Sequence, residues 1–425
     1  MKKPPAGIES GQKGQPNGFS PLGLGNCIVA LILMMAAFST SGLRPQASAA
    51  AEVSSKASVA AAPEEKPVAG TVPPWGELVI TDIALDLPEE YAAFDLESTR
   101  ESVWQFPRLN LDQVREVLVS AGLDQRQVEL AASGSLPSPA KDGTLLQVGE
   151  SLVTSLTPGV RSRLYSQLGA FESNPHQRFP YSIRRSDAGQ WLASSGLAPE
   201  TRTLFQQLVY PRGNLECFSD LEVVLRRLDG DHAKTQFLKT VAREPAVLAG
   251  VRIRPDTDIE RLIGYWGHGA RTLDLRPLLD SLKQKEDGGT LSLLHLLPRF
   301  ARDHLFTFPT PVIDGQRPLD CHWSTMNFFN ETTDDSFLTN GVSTAYVQQH
   351  FYPVGAPSRL GDVVFLHDSS GKIRHSARFI AGDLVFTKNG NSFTRPWILM
   401  HLGDLRDQYG LDRPAQIAVF RARGE

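Results

Sequence analysis

The chain has 425 residues, of which 41% are hydrophobic and 21% are charged. That length favours two or three folded units, and the composition is typical of a globular protein and excludes a fibre or a disordered chain. Because 47 acidic residues outnumber 43 lysines and arginines, giving a formal net charge of -4, we expect no nucleic acid as a partner.

Residues 1–49 have the pattern of an export signal. Three lysines precede the apolar run CIVALILMMAAF at residues 27–38, and the small residues at 47–49 are typical of a cleavage site. The run has 12 residues, whereas a spanning helix needs roughly 20, so the pattern favours a cleaved signal peptide over a membrane anchor. Both alternatives predict an exported protein, periplasmic or extracellular, that contacts the membrane only through this segment if it is kept.

Residues 50–74 are rich in alanine and proline without an apolar period, as expected of a disordered linker. Residues 75–310 then carry repeated helix signals, so we expect a mainly helical domain, whose role the sequence does not specify. The signals are Asn110 before LDQVREVLVSAG, Thr157 before Pro158, a capping box of Ser219 and Glu222, and the segments DIERLIGYW and LSLLHLLPRFARDHL.

Residues 311–425 have a different texture. The segment GDVVFLHDSSGKIRHSARFIAGDLVFTKNG at residues 361–390 alternates β-rich runs with turn residues, which predicts an antiparallel meander, and the run at 416–423 could close the sheet. A helix is predicted to begin at Cys321, with Asp320 as its N-cap. The expected fold class is therefore α+β, with a mainly helical central region followed by a C-terminal domain that holds a small antiparallel sheet.

Cys321 is the candidate nucleophile, because a helix start favours the thiolate form of a cysteine. His375, in a predicted strand 54 residues downstream, is the candidate base. If residues 381–383 form a three-residue loop between two strands, His375 faces Asn389, whose side chain can then orient the imidazole ring. A two-residue turn would instead put Asn389 on the opposite face of the sheet.

The order of these features resembles the NlpC-type, papain-like cysteine peptidases of bacterial cell walls: a helix that starts at Cys321, a strand opened by Gly361-Asp362, a strand that carries His375, and a third polar residue. The resemblance covers the C-terminal domain alone. It implies a papain-like fold and hydrolysis of an amide bond in a peptide or peptidoglycan-like substrate, through a thioester on Cys321. Asn389 would be the third polar residue.

The oxyanion formed in such a reaction needs hydrogen-bond donors. The backbone N–H of Cys321 is one candidate, and Gln316, upstream of the cysteine as in papain-like enzymes, is a second. The phrases FTKNG and PWILM are also similar to segments of a group of long exported bacterial proteins, a similarity that implies no particular activity.

Other interpretations stay open. Cleavage of the signal would leave Cys217 and Cys321, which could form a disulfide, and the protein would then be a secreted or anchored binding or scaffold protein with an inactive papain-like domain. A metal site is disfavoured because His322, His367, Asp368 and His375 lack the usual ligand spacings. We expect no cofactor, and acyl transfer to another amine would use the same catalytic residues.

Overall fold

The computed structural model describes residues 73–92, 102–137, 142–193, 195–267, 271–311 and 317–424. The predicted signal segment, nearly all of the predicted linker and Gln316 lie outside these residues. The described chain combines helices with antiparallel sheets, so the α+β fold class is confirmed. Among the described helices, none has the length and apolar character needed to cross a membrane.

The helices and strands alternate irregularly along the chain. The helices are α1 (Glu89–Ala92), α2 (Leu111–Ala121), α3 (Gln125–Ser133), α4 (Glu150–Ser155), α5 (Pro158–Leu168), α6 (Pro175–Arg178), α7 (Pro199–Leu208), α8 (Leu221–Leu225), α9 (Gly230–Val241), α10 (Ile259–Trp266), α11 (Thr272–Lys283), α12 (Arg299–His304), α13 (Cys321–Met326), α14 (Val342–His350) and α15 (Leu402–Tyr409). The strands are β1 (Glu77–Leu85), β2 (Ser102–Phe106), β3 (Ser135–Pro137), β4 (Thr144–Val148), β5 (Tyr181–Arg184), β6 (Tyr210–Arg212), β7 (Leu215–Phe218), β8 (Glu244–Ile253), β9 (Gly289–Ser292), β10 (Phe351–Val354), β11 (Val363–His367), β12 (Ile373–Ala381), β13 (Leu384–Lys388), β14 (Trp397–His401) and β15 (Gln416–Ala422).

Several predicted helix starts in the central region are confirmed. The Asn110 side chain accepts from the Gln113 backbone N–H, and the Gln113 side chain accepts from the Asn110 backbone N–H. The two bonds form a capping box at the start of α2. Thr157 caps α5 in the same position. The capping box predicted at Ser219 is wrong, because the Ser219 hydroxyl donates to the His176 carbonyl oxygen instead, and α8 has no side-chain cap.

Strands are more numerous in the central region than its helix signals predict. The described part of residues 75–310 contains nine strands in three antiparallel sheets, with the orders β1-β8-β9, β2-β4-β3 and β5-β7-β6. Most of these strands have three to five residues, too few for an alternating pattern to stand out in the sequence. Residues 87–242 pack around one core that includes Trp104, Tyr165 and Phe218.

A second core joins the end of the central region to the C-terminal sheet. Val251 on β8 and Trp266 on α10 share this core with Trp323 and Phe386. β8 pairs along its length with β1, from Glu77↔Arg252 to Leu85↔Glu244. The domain boundary at residue 310 stays a prediction, but apolar packing crosses it.

The C-terminal sheet has six strands in the order β10-β15-β11-β12-β13-β14. The predicted meander is confirmed, since β11 to β14 are consecutive antiparallel neighbours. β15 lies inside the sheet, between β10 and β11. One face of the sheet packs against α13 in the second core, and the other packs against α15 in a third core that contains Phe379 and Leu405.

Candidate functional site

Helix α13 begins at Cys321, as predicted. The Asp320 carboxylate accepts from the Trp323 backbone N–H at 2.8 Å, and the Ser324 hydroxyl donates to the Asp320 carbonyl oxygen at 2.7 Å. Indole Nε1 of Trp397 on β14 donates to the Ser324 hydroxyl at 2.8 Å, which fixes the short helix against the sheet. Cys321 is therefore held at a defined place above the sheet, with 6% of its surface exposed.

The Cys321 thiol is neutral in this environment. Burial raises its pKa to about 12, and the Asp320 carboxylate adds to the rise. Hydrogen bonds from Ser376 and the charge of Lys388 act in the opposite direction and do not offset the loss of hydration. The prediction that the helix start produces a thiolate is therefore wrong for this conformation, because α13 has six residues and burial outweighs its dipole.

His375 lies on β12 and is fully buried. Its ring stacks on Tyr409 of α15, with centroids 4.1 Å apart and planes inclined by 22°. Nε2 lies 2.6 Å from the Thr387 hydroxyl oxygen, and that hydroxyl donates to Asn389 Oδ1 at 3.4 Å. Directing the Thr387 hydrogen at Asn389 places the imidazole proton on Nε2 and leaves the lone pair of Nδ1 free.

His375 Nδ1 is buried and has no hydrogen-bond partner among the described residues. Burial lowers the pKa of His375 well below its ordinary value, and the nearby His322 and Lys388 contribute to the decrease. The ring is therefore a neutral imidazole. Leaving a polar atom buried without a partner costs about 1–3 kcal/mol, so such an atom needs an explanation.

The turn between β12 and β13 differs from the predicted loop. Ala381 pairs with Leu384 across a two-residue turn, and a register shift at Ile380 restores the pairing of Arg378 with Phe386. Gly382 has φ 64°, in the left-handed region that glycine adopts readily. The bulge cancels the one-residue slip that the shorter turn would have caused.

Thr387, rather than Asn389, contacts the imidazole. Asn389 lies one step further away, and its amide nitrogen donates to Glu244 Oε1 at 2.8 Å and to Gln408 Oε1 at 3.0 Å. The four side chains of His375, Thr387, Asn389 and Glu244 form a continuous chain of hydrogen bonds, which we call the histidine relay.

Cys321 and His375 are both buried, and no hydrogen bond joins their side chains. Ser376 on β12 lies on the sheet face that packs against α13, and its hydroxyl donates to the Cys321 carbonyl oxygen at 3.3 Å. The side chain of the preceding residue, His375, points to the face covered by α15. The sulfur nevertheless lies close enough to Tyr409, the stacking partner of His375, to contribute to the raised pKa of the phenol.

Lys388 is a buried charged residue near Cys321 and His375 that the sequence analysis did not identify. It is fully buried, its ammonium group donates to the carbonyl oxygens of Gly390 and Ser392 at 3.0 and 2.9 Å, and burial lowers its pKa to about 8. Its place in the apolar strand LVFTK was the available signal, because a lysine is rarely buried without a specific reason.

Glu244 and Arg395 were also missed. Glu244 is 2% exposed and forms a buried ion pair with Arg395. The contact joins the first residue of β8 to a loop 151 positions later, so no local pattern could predict it.

The structure bears on the two alternatives for Cys321, a disulfide with Cys217 and a metal site. Cys217 and Cys321 are both free and buried, so the structure contains no disulfide between them. Cys217 lies in the first core, where burial raises its pKa to about 12. Within the described ranges, no group of three or more histidine, cysteine, aspartate or glutamate side chains could hold a metal ion.

Two cavities border the described chain at some distance from the sulfur. One of about 420 Å³ lies between α4, α7 and the end of α8, with Glu200, Gln207 and Arg227 in its wall. A smaller one of about 30 Å³ is lined by Glu244, Met400 and Gln408 and lies beside the far end of the histidine relay. Cys321 and His375 line neither of them.

Comparison with known proteins finds no matching family model, no similar curated protein and no similar solved structure.

Proposed function

We propose that the protein is an exported cysteine amidase or peptidase that hydrolyses an amide bond, in a substrate such as cell-wall peptide, through a thioester intermediate. The observation that carries the proposal is the state of His375: Nε2 is bound to Thr387, Nδ1 is buried without a partner among the described residues, and the ring stacks on Tyr409, whose phenol lies near the Cys321 sulfur. A base must present a lone pair within reach of the proton that it removes.

In the proposed reaction, a rearrangement first brings the Cys321 sulfur and His375 Nδ1 to the same side of the sheet, and Nδ1 then takes the thiol proton as the sulfur attacks the carbonyl carbon. The Cys321 backbone N–H donates to the oxyanion, because it is one of the N–H groups that have no partner within a helix. The imidazolium returns the proton to the departing amine, and a thioester remains. Water activated by Nδ1 then releases the acid, and an amine in place of water would make the reaction an acyl transfer.

The first test is the rate of iodoacetamide labelling of Cys321 against pH, measured by peptide mass spectrometry in the wild type and in His375→Ala. A base that accepts the thiol proton makes a neutral thiol reactive near pH 7. We therefore expect labelling at pH 7 to slow by about tenfold or more in His375→Ala, equivalent to one pKa unit or more of lost proton affinity. Cys217, buried in the first core, is the internal control and should label equally slowly in both proteins.

A second candidate function is a secreted or anchored binding or scaffold protein. What favours it is the burial of Cys321, which leaves 6% of the residue exposed and the thiol neutral. In this case Cys321 labels as slowly as Cys217, and His375→Ala has no effect on the rate. That result would exclude the hydrolase proposal.

A further inference from the structure

The histidine relay ends at a residue from the central region. Asn389 donates from one nitrogen to two acceptors, Glu244 Oε1 at 2.8 Å and Gln408 Oε1 at 3.0 Å. Two acceptors on one side of an amide determine which end is nitrogen and which is oxygen. Asn389 Oδ1 must therefore face Thr387, from which it accepts at 3.4 Å.

This orientation gives the Thr387 hydroxyl an acceptor other than Nε2, and so favours the Nε2–H tautomer of His375. If the Asn389 amide were reversed, its N–H would point at Thr387, and the Thr387 hydroxyl would be free to donate to Nε2. The imidazole proton would then move to Nδ1, and the ring could no longer accept a proton at that atom. The direction of every bond in the relay thus depends on an acceptor at the Glu244 position.

Glu244 is held for this task by two contacts. Its second carboxylate oxygen pairs with Arg395, which compensates the charge in a place where only 2% of the residue is exposed. Its backbone pairs with Leu85 at the end of the β1-β8 ladder. The position of the carboxylate is therefore fixed by the strand pairing of its backbone and by the ion pair with Arg395.

We propose that Glu244 is a positioning residue for His375, acting through Asn389 and Thr387 to keep Nδ1 free of a proton. The inference rests on the proposed function and assigns a role in it to the region before residue 311. The residues that touch the reacting atoms come from β12 and α13, and the residue that sets their protonation comes from β8.

The test replaces the whole ion pair, because removing Glu244 alone would leave Arg395 buried without a counter-charge. Apolar residues of similar volume in place of a buried ion pair are often tolerated, so the variant is Glu244→Leu with Arg395→Met. The matched control is Asp362→Leu with Arg421→Met, which removes another ion pair with a carboxylate 2% exposed in its side chain. Glu244→Gln with Arg395→Met, which retains an oxygen acceptor without leaving Arg395 unpaired, is the rescue variant.

Two readouts separate the inference from the proposed function. The first is the ¹⁵N chemical shift of the His375 ring, which reports the tautomer without reference to any reaction. We expect the Nε2–H tautomer in the wild type, the control and the rescue variant, and a population of the Nδ1–H tautomer in the Glu244→Leu double variant. The second is iodoacetamide labelling of Cys321 at pH 7, which we expect to slow by about threefold to tenfold, or half to one pKa unit, in that variant alone.

An unchanged tautomer in a folded Glu244→Leu double variant would overturn the inference, even if His375→Ala still slowed labelling and the proposed function stood. Labelling that is insensitive to His375 would remove the proposed function, and the ¹⁵N shift would still decide whether Glu244 sets the tautomer. If the double variant does not fold, Glu244→Met with Arg395→Leu removes the same acceptor with different apolar side chains, and an unchanged tautomer there contradicts the inference equally.

Discussion

Burial shifts the pKa values of Cys321 and His375 in opposite directions, and both side chains are neutral as a result. It raises the pKa of the Cys321 thiol and lowers that of the His375 imidazole, so each is neutral around pH 7. A neutral pair can react by proton transfer during attack, whereas a preformed ion pair would need compensation for its lost hydration. Lys388, with a pKa lowered to about 8, is a nearby group whose charge changes close to neutral pH.

The state of His375 predicts a loss of stability in acid. Its pKa is lower in the folded protein than the unfolded value of about 6.5, so below that value the unfolded chain binds a proton that the folded chain does not. The stabilisation is fully present above pH 6.5 and decreases as the pH falls, by about 1.4 kcal/mol per pH unit. We expect the free energy of unfolding to fall by about 2 kcal/mol between pH 6.5 and pH 5 from this group alone.

The measurement is urea unfolding at both pH values in the wild type and in His375→Gln. His304 and His322 also have lowered pKa values and weaken both proteins in acid, so the quantity of interest is the difference between the two pH dependences. Equal dependences would show that His375 binds its proton as readily in the folded protein as in the unfolded chain.

At the level of single residues, sequence analysis identified Cys321 and His375, because a helix start and a strand histidine each leave a local pattern. It placed Asn389 next to the imidazole, whereas Thr387 occupies that position. The register beyond the bulge at Ile380 is the predicted one, and the difference arises because the Asn389 amide donates to Glu244 and Gln408 instead of the ring. Glu244 and Lys388 depend on contacts distant in the sequence and could not be predicted.

At the level of elements, α13 is a six-residue helix stabilised by one capping side chain and by hydrogen bonds from Ser376, Arg378 and Trp397 of the sheet. Its start was predictable because Asp320 is a favoured N-cap residue. Its short length was not predictable, since the buried run that follows Met326 continues to Phe328 without regular helix. The hairpin turn was predicted with the wrong length, because Gly382-Asp383 suits both a two-residue turn and part of a longer loop.

Asp320 has two separable effects on α13. Asp320→Ala removes the cap and should lower the free energy of unfolding by about 1 kcal/mol. Asp320→Asn retains an acceptor for the Trp323 N–H and removes the charge that helps to raise the pKa of Cys321. We expect Asp320→Asn to unfold at nearly the wild-type urea concentration and to be labelled faster by iodoacetamide at pH 8. If its labelling matches that of the wild type, the carboxylate does not act on the thiol.

At the level of the whole molecule, the C-terminal sheet is packed against the central region through β8 and α10. Tyr265 on α10 donates from its hydroxyl to the Ile380 carbonyl oxygen at 2.6 Å, and Trp75, just before β1, contacts Phe379 edge to face at 6.2 Å. The α+β class could be predicted because each half carries its own local patterns. The packing between the halves could not, because it depends on side chains more than a hundred positions apart.

This packing predicts how fragments behave. A fragment of residues 311–425 loses the apolar partners that β8 and α10 contribute to the second core, so we expect no cooperative thermal unfolding. A fragment of residues 73–425 retains all three cores and should unfold near the temperature of the full chain. Circular dichroism against temperature measures both, and a cooperative transition in the shorter fragment would show that the C-terminal domain folds alone.

The position of β15 has a consequence for the order of events during synthesis. Its residues 416–422 are near the end of the chain, yet they form the strand between β10 and β11. A ribosome releases the chain from its N-terminus, so β11 to β14 emerge as a meander whose β11 edge is unpaired, and β10 has no neighbour. The sheet closes only after β15 has been synthesised, so the β11 edge of the meander stays open until then.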